Sequence, residues 1–224
     1  MSIVSNLELI RRVPLFEVLT PAQAELVAAA VTKKRYKRGE SIVEEGKTTN
    51  AIYIILAGRA RVLVGDNKGG EVILATLRAG DYVGEMSLID GEAHSATVTT
   101  EVQTDVLILG RDDFLRCVGE NAAVALSVMR GLVQRLRSAD KKIGSLALMG
   151  VYGRVATVLL EMAVSGEDRE LIIRDKVSRQ DLAKMVGASR EMVSRVMKEF
   201  EEQGFIKTLD QGVICVVERR KTPR

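Results

Sequence analysis

The sequence predicts an α+β fold: a β-rich N-terminal half, a long central helix, and a C-terminal pair of helices followed by a hairpin. Three observations carry this. Short apolar runs broken by glycine fill residues 34–110, apolar residues recur at three- and four-residue steps through 112–148, and Ser178–Phe200 holds two capped helical patterns joined at Gly187. A change of hydrophobic period from two to 3.6 is the primary local signal for strand against helix.

In chain order, Thr20-Pro21-Ala22-Gln23 is a helix start, with a threonine cap, proline in the first turn and glutamine three residues after the cap. That helix should run to about Val31. The clearest strands are Ile52–Leu56, Ala60–Val64 and Val72–Leu77, and nine glycines lie between Gly39 and Gly91, many at the ends of such runs. Regularly spaced short strands with turn signals indicate a small antiparallel sandwich or barrel. Further on, Met129, Leu132, Val133, Leu136, Ala139, Ile143 and Leu146 form an apolar stripe, with Arg130, Gln134, Arg135, Arg137 and Lys141 on other faces. Such a stripe commonly packs only on its own domain. A helix is expected over Arg154–Ala163, a polar loop at Gly166–Arg169, a strand at Leu171–Arg174 and a frayed basic tail over Glu218–Arg224. Two glycines within Leu148–Gly153 place the domain hinge there, giving segments 1–118, 119–148 and 149–224.

The Ser178–Phe200 stretch is the most specific. Leu182 and Val186 give its first helix an apolar stripe, Val193, Val196 and Phe200 the second, and Ala183 is small where the helices would cross. Gly187 suits a turn needing positive φ, Ser178 stands before Asp181 as a cap, and Ser189 caps the second helix. Helix-turn-helix pairs need these features at fixed offsets. Arg190, Glu191, Ser194, Arg195 and Lys198 fall opposite the apolar stripe. In a major groove, arginine pairs with guanine O6 and N7, and glutamate accepts from cytosine N4. A surface salt bridge between Glu191 and Arg195 would account for that pair but not for its place at the start of a second helix. Ser178, Arg179 and Gln180 at the start of the first helix complete the candidate DNA-contacting set.

Ser189-Arg190-Glu191 followed by Arg195 inside this motif resembles the cyclic AMP receptor and fumarate–nitrate regulator (Crp/Fnr) superfamily of bacterial transcription regulators. The resemblance covers about Leu15 to Val217. It implies that Arg190, Glu191 and Arg195 read a TGTGA-like half-site of a palindrome in double-stranded DNA. Apolar runs on either side of Asp210-Gln211-Gly212 look like the wing of a winged helix. Reading a palindrome needs two such helices about 34 Å apart, so a homodimer through Met129, Leu132, Val133, Leu136, Ala139 and Ile143 becomes the preferred reading of the apolar stripe. RNA polymerase is the further partner that the resemblance implies.

The pattern Gly46, Gly58, Gly80-Asp81 and Gly84-Glu85 resembles a cyclic-nucleotide-binding β-roll, and Gly84-Glu85-Met86-Ser87 followed by His94-Ser95-Ala96 resembles its phosphate-binding cassette. In that family the glutamate takes a ribose hydroxyl, and an arginine before Ser-Ala supplies a charged fork to the phosphate. Here that position holds His94, which at its ordinary pKa is only about a quarter protonated at pH 7. A Thr-Ser pair of the family aligns with Ala139 and Asp140. Cyclic AMP chemistry is therefore not expected to survive. Three readings remain: a different ligand, with cyclic di-GMP the best candidate; a vestigial pocket on an effector-independent DNA-binding regulator; and His94 as a haem ligand, the least favoured.

Composition bounds the other classes. The 224 residues have room for one large or two modest domains, and a net charge of +3 does not itself announce nucleic acid. The only cysteines, Cys117 and Cys215, sit among apolar neighbours and are too few for a four-cysteine iron–sulfur site, which argues against the oxygen-sensing branch. No signal peptide or membrane span is read, so a cytoplasmic protein is expected. One histidine, with no metal-ligand cluster and no Walker loop, leaves an enzyme without parts. A ligand-binding subunit acting on a protein partner would account for the roll but not for Arg190, Glu191 and Arg195.

Overall fold

The computed structural model describes residues 5–67, 69–166, 171–209 and 212–217. By internal contacts the chain divides into Met1–Arg137 and Ser138–Arg224.

The first unit opens with α1 (Asn6–Ile10) and α2 (Pro21–Ala30). The α2 start forms as its sequence requires: the Thr20 hydroxyl accepts from the Gln23 amide, the Gln23 side chain returns the bond, and Pro21 fills the first turn. Eight strands follow: β1 (Thr32–Tyr36), β2 (Ser41–Val43), β3 (Ala51–Ala57), β4 (Ala60–Gly65), β5 (Glu71–Leu77), β6 (Tyr82–Val83), β7 (Thr97–Thr100) and β8 (Thr104–Gly110). They form two antiparallel sheets ordered β1-β8-β3-β6 and β2-β7-β4-β5. Along β3 and β8 the side chains alternate between two cores. Ile55 and Val106 join Ile42, Leu77 and Val98 between the sheets. Ile52, Ile54, Leu107 and Leu109 face a helical layer with Phe16, Val27, Phe114 and Val128. Burial on both faces explains why these strands read as unbroken apolar runs.

Between β6 and β7 lies the short α3 (Glu85–Asp90), and after β8 come α4 (Arg111–Glu120) and α5 (Ala122–Leu148). The predicted continuous helical stretch is broken at Asn121. Its backbone is extended, and its side-chain oxygen accepts from the Ala123 and Val124 amides at 2.9 and 3.3 Å, so it starts α5 as a cap.

The second unit holds the end of α5, then α6 (Val151–Met162), β9 (Val164–Ser165), β10 (Leu171–Ile173), α7 (Arg179–Val186), α8 (Arg190–Glu202), β11 (Ile206–Thr208) and β12 (Ile214–Val216). The α6 helix begins three residues earlier than expected, and Gly153 lies inside it; only Gly150, the extended N-cap, interrupts the pattern. The strands form an antiparallel sheet ordered β11-β12-β10-β9. Val155, Leu159, Ile173, Leu182, Val193, Met197, Ile206 and Ile214 share one core. Phe200 stands edge-on between Tyr152 and Phe205, at 4.5 and 6.0 Å. The Leu209 amide donates to the Val213 carbonyl at 2.8 Å in the β11–β12 turn, where Gly212 has φ +82°. Asp210 and Gln211, residues 167–169 of the expected polar loop and the tail 218–224 lie outside the described residues.

Candidate functional site

The DNA-facing candidate is built by α7 and α8. The Ser178 hydroxyl accepts from the Asp181 amide at 3.0 Å, and the Ser189 hydroxyl from the Met192 amide at 3.2 Å. Gly187 sits in the left-handed region at φ 60°, ψ 52°, ending α7 two residues before the α8 cap. Leu182, Ala183, Val186, Val193, Val196 and Phe200 are buried as expected, and Met197 joins them as a fully buried member. This burial fixes the roll of α8 about its axis. Arg190, Glu191, Ser194, Arg195 and Lys198 are left exposed together.

Within that face the alternative reading, a Glu191–Arg195 ion pair, does not form, and no carboxylate of the described residues lies within salt-bridge distance of Arg190 or Arg195. Glu191 is instead held below the ordinary carboxylate range by backbone amides at the α8 start, then by Ser189 and by the charge of Arg190. It therefore stays an ionised acceptor. Lys198 reaches Glu202 at 3.6 Å. Arg179 is half-buried and 3.9 Å from Glu201, whereas Ser178 and Gln180 are exposed.

The second candidate centres on Glu85. Gly84 turns the chain at φ 96°, and a Cβ there would stand 2.6 Å from the Ala51 carbonyl oxygen, so only glycine fits. Glu85 follows in the first turn of α3 and is 1% exposed. Its Oε1 accepts from Arg135 Nη1 at 2.6 Å, and its Oε2 is buried without a partner. Burial pushes the carboxyl up from its ordinary pKa, and the Arg135 charge partly opposes this. Arg135 also donates to the Tyr82 carbonyl and lies over the Tyr82 ring at 5.0 Å. The Tyr82 hydroxyl closes against α5 at Gly131, where any Cβ would collide with it. Arg135 was legible only as a polar residue on the helix. A buried glutamate demands a cation, but nothing in the spacing says which arginine supplies it.

His94 is 8% exposed, with Nε2 2.9 Å from the Thr49 hydroxyl. Its amide donates to the Lys47 carbonyl at 2.8 Å, and its carbonyl accepts from Gly46 at 2.9 Å. Desolvation lowers its pKa below the ordinary histidine value, so at neutral pH it is an uncharged ring bonded to a hydroxyl. Ser87 is buried, whereas Met86 and Ser95 are exposed. Ala139 and Asp140 are exposed on α5, beyond the division after Arg137.

Of the predicted seam on α5, Met129, Val133, Leu136 and Ile143 are exposed, the last two at 62% and 64%. Leu132 lies one turn after Val128 and packs inward on the first unit's core. Cys117 and Cys215 are free thiols. Among the described residues, no group of three or more His, Cys, Asp or Glu could hold a metal, and no helix is long and apolar enough to cross a membrane.

A cyclic nucleotide-binding domain family matches residues 33–121, and a Crp-like helix-turn-helix domain family matches residues 153–221. The cyclic AMP receptor protein of Thermus thermophilus is 33% identical over 205 residues, covering 92% of this chain and 93% of its own. The chain belongs to the Crp/Fnr superfamily of transcription regulators. Another relative, the cAMP-activated global transcriptional regulator Vfr of Pseudomonas aeruginosa, is 32% identical over 183 residues, 78% of this chain and 84% of Vfr. Among solved structures, the c-di-GMP responsive global regulator CLP of Xanthomonas campestris superposes with a TM-score of 0.77 at 21% identity. It covers 89% of this chain and 100% of CLP, a likeness of fold. As a Crp/Fnr protein, the chain is a DNA-binding transcription regulator with a cyclic-nucleotide-binding-type domain.

Proposed function

We propose that this regulator acts as a homodimer that reads a TGTGA-like palindrome, controlled by a nucleotide second messenger other than cyclic AMP, with cyclic di-GMP favoured. Residues 1–118 sense, 119–148 dimerise and 149–224 bind DNA. The observation that carries the DNA reading is the capped α8, whose buried stripe leaves Arg190, Glu191 and Arg195 side by side without mutual ion pairing. Arginines outside any salt bridge among the described residues are available to guanine edges, and an ionised Glu191 is available to a cytosine amine. The exposed apolar residues Met129, Val133, Leu136 and Ile143 support the second copy. RNA polymerase is the expected further partner, in the cytoplasm.

The effector reading rests on the contrast between Glu85 and His94. Glu85 keeps a buried carboxylate oxygen with no partner, a place for a ligand hydroxyl. His94, at the position where the family carries its phosphate-binding arginine, is desolvated and uncharged. Vfr is cAMP-activated and CLP is c-di-GMP responsive; the loss of the arginine fork at His94 speaks against the first kind of ligand here. A second reading has its own support: Arg135 already satisfies one oxygen of Glu85, as in a regulator that binds DNA with no effector. Calorimetry against a panel of cyclic mono- and dinucleotides decides between them, and binding-site selection on random DNA tests the palindrome. A selected site without two-fold symmetry would refute the dimeric DNA reading.

A further inference from the structure

Arg154, in the first turn of α6, reaches two backbone carbonyls that belong to different parts of the second unit. Its Nη1 donates to Met149, just past the end of α5, at 3.2 Å, and its Nη2 to Gly187 at 3.4 Å. Gly187 is the left-handed residue that ends α7, two positions before the Ser189 cap of α8. Both carbonyls lie where a helix runs out of amides and an outside donor is needed. The Arg154 Nε is buried, so the group is held in place rather than extended into solvent. Two further contacts tighten the same junction. Leu146, on the last turn of α5, comes within 3.5 Å of the position a Cβ on Gly187 would take. The sulfur of Met149 accepts from Ser145 at 3.6 Å and from Thr157 at 3.8 Å. A planar fork can bridge two acceptors at once; a lysine ammonium on its flexible stem cannot hold the same geometry.

We propose that Arg154 is a positioning residue for DNA recognition, fastening the turn before α8 to the end of α5. A palindrome is read by two α8 helices whose separation must match one DNA turn. If the seam includes Ala139 and Ile143 on the end of α5, as proposed above, the register between that end and α8 sets that separation. A single half-site makes no such demand. The role of Arg154 therefore lies in the spacing of the two reading heads, and base choice stays with Arg190, Glu191 and Arg195.

The test compares wild type, Arg154→Gln and Arg154→Lys by DNA binding and by amide hydrogen exchange. Losing a charge-assisted fork corresponds to about a tenfold or greater change. Arg154→Gln should lose about that factor on the full palindrome while half-site affinity stays within about twofold and base preference is unchanged. Arg154→Lys should recover only part of the loss. The Gly187 and Ala188 amides, which both bond to the Ala183 carbonyl, should exchange about tenfold faster in Arg154→Gln. Equal losses on half-site and palindrome, or full affinity with lysine, would overturn the proposal, as would unchanged exchange at these amides. The exchange readout needs no DNA, so a wild type that fails to prefer the palindrome refutes the dimer reading without deciding the clamp. Should the glutamine variant not fold, the lysine variant carries both measurements.

Discussion

Replacing Arg135 with methionine keeps an unbranched stem beside the Tyr82 ring and removes the cation from Glu85. Breaking a buried ion pair from one side costs about 3–5 kcal/mol, because a charge is left without a partner. Here Glu85 is 1% exposed but the Arg135 side chain is 40% exposed. Water can replace part of what the guanidinium supplied, so about 1–2 kcal/mol is expected. For a unit of this size that is a fall in Tm of roughly 3–8 °C. The loss should depend on pH in a definite sense. Burial already raises the Glu85 carboxyl above 4.5 in the fold, with Arg135 opposing. A group raised in the folded state binds its proton more readily folded than unfolded, so stability falls as pH rises from 4.5 to the folded value. Without Arg135 that folded value climbs and the window widens. The deficit should be smaller near about pH 5 than near about pH 8, measured by thermal denaturation. Adding Glu85→Gln removes the charge and should abolish the pH dependence of the deficit. A deficit equal at both pH values, or one that survives Glu85→Gln undiminished, would refute the idea that a buried charge needs Arg135.

Three other outcomes are expected. Arg190→Ala or Arg195→Ala should weaken binding to the selected site by about 1–3 kcal/mol and relax preference at one guanine each, and Glu191→Ala should relax it at a cytosine; repeating the selection with each variant checks this, and an unchanged preference after all three removes the assignment. Leu136→Asp places an unpaired charge in the proposed seam and should give monomers in sedimentation, with weakened binding to the full palindrome; an unaltered dimer moves the interface elsewhere. Millimolar cyclic AMP should leave the wild-type Tm unchanged, while the triple change His94→Arg, Ala139→Thr, Asp140→Ser should gain a thermal shift with it; micromolar cyclic AMP binding by the wild type would show that His94 serves without a guanidinium.

Local signals in the sequence carried the architecture where one residue type answers one physical demand. Thr20 and Gln23 form their reciprocal cap, Gly84 and Gly187 take positive φ, and the alternation along β3 follows from its apolar run. The exposed face of α8 was legible for the same reason: burying Val193, Val196 and Phe200 leaves Arg190 and Arg195 no other side. Errors fall where one residue type has several uses. Asn121 looks like a surface residue within a helix, and only its backbone geometry makes it the cap of α5. Gly153 resembles a break, yet a glycine inside a helix costs only about 1 kcal/mol against alanine, and packing of Val155 and Leu159 outweighs it. The bonds of Arg135 to Glu85 and of Arg154 to Gly187 are invisible in sequence because they span 50 and 33 positions.

The charges around Glu85 bear on which ligand the first unit could take. One carboxylate and one guanidinium cancel there, and the neutral His94 adds nothing. A phosphate diester brings a negative charge that this arrangement does not compensate, and an uncompensated charge is not transferred from water into a buried site. Two routes remain. The ligand can draw Arg135 away from Glu85, whose burial then favours the protonated, hydroxyl-donating carboxyl. Alternatively it can keep its phosphates in solvent and send only a sugar hydroxyl to Glu85 Oε2. The first route disconnects α5 from α3 and from the Tyr82 carbonyl, so binding is linked to the helix proposed to hold the dimer. The second leaves that link intact and suits a larger nucleotide that can anchor outside. Arg135, which holds these contacts from α5, is therefore the residue whose bonds in a ligand complex would tell a switch from a vestige.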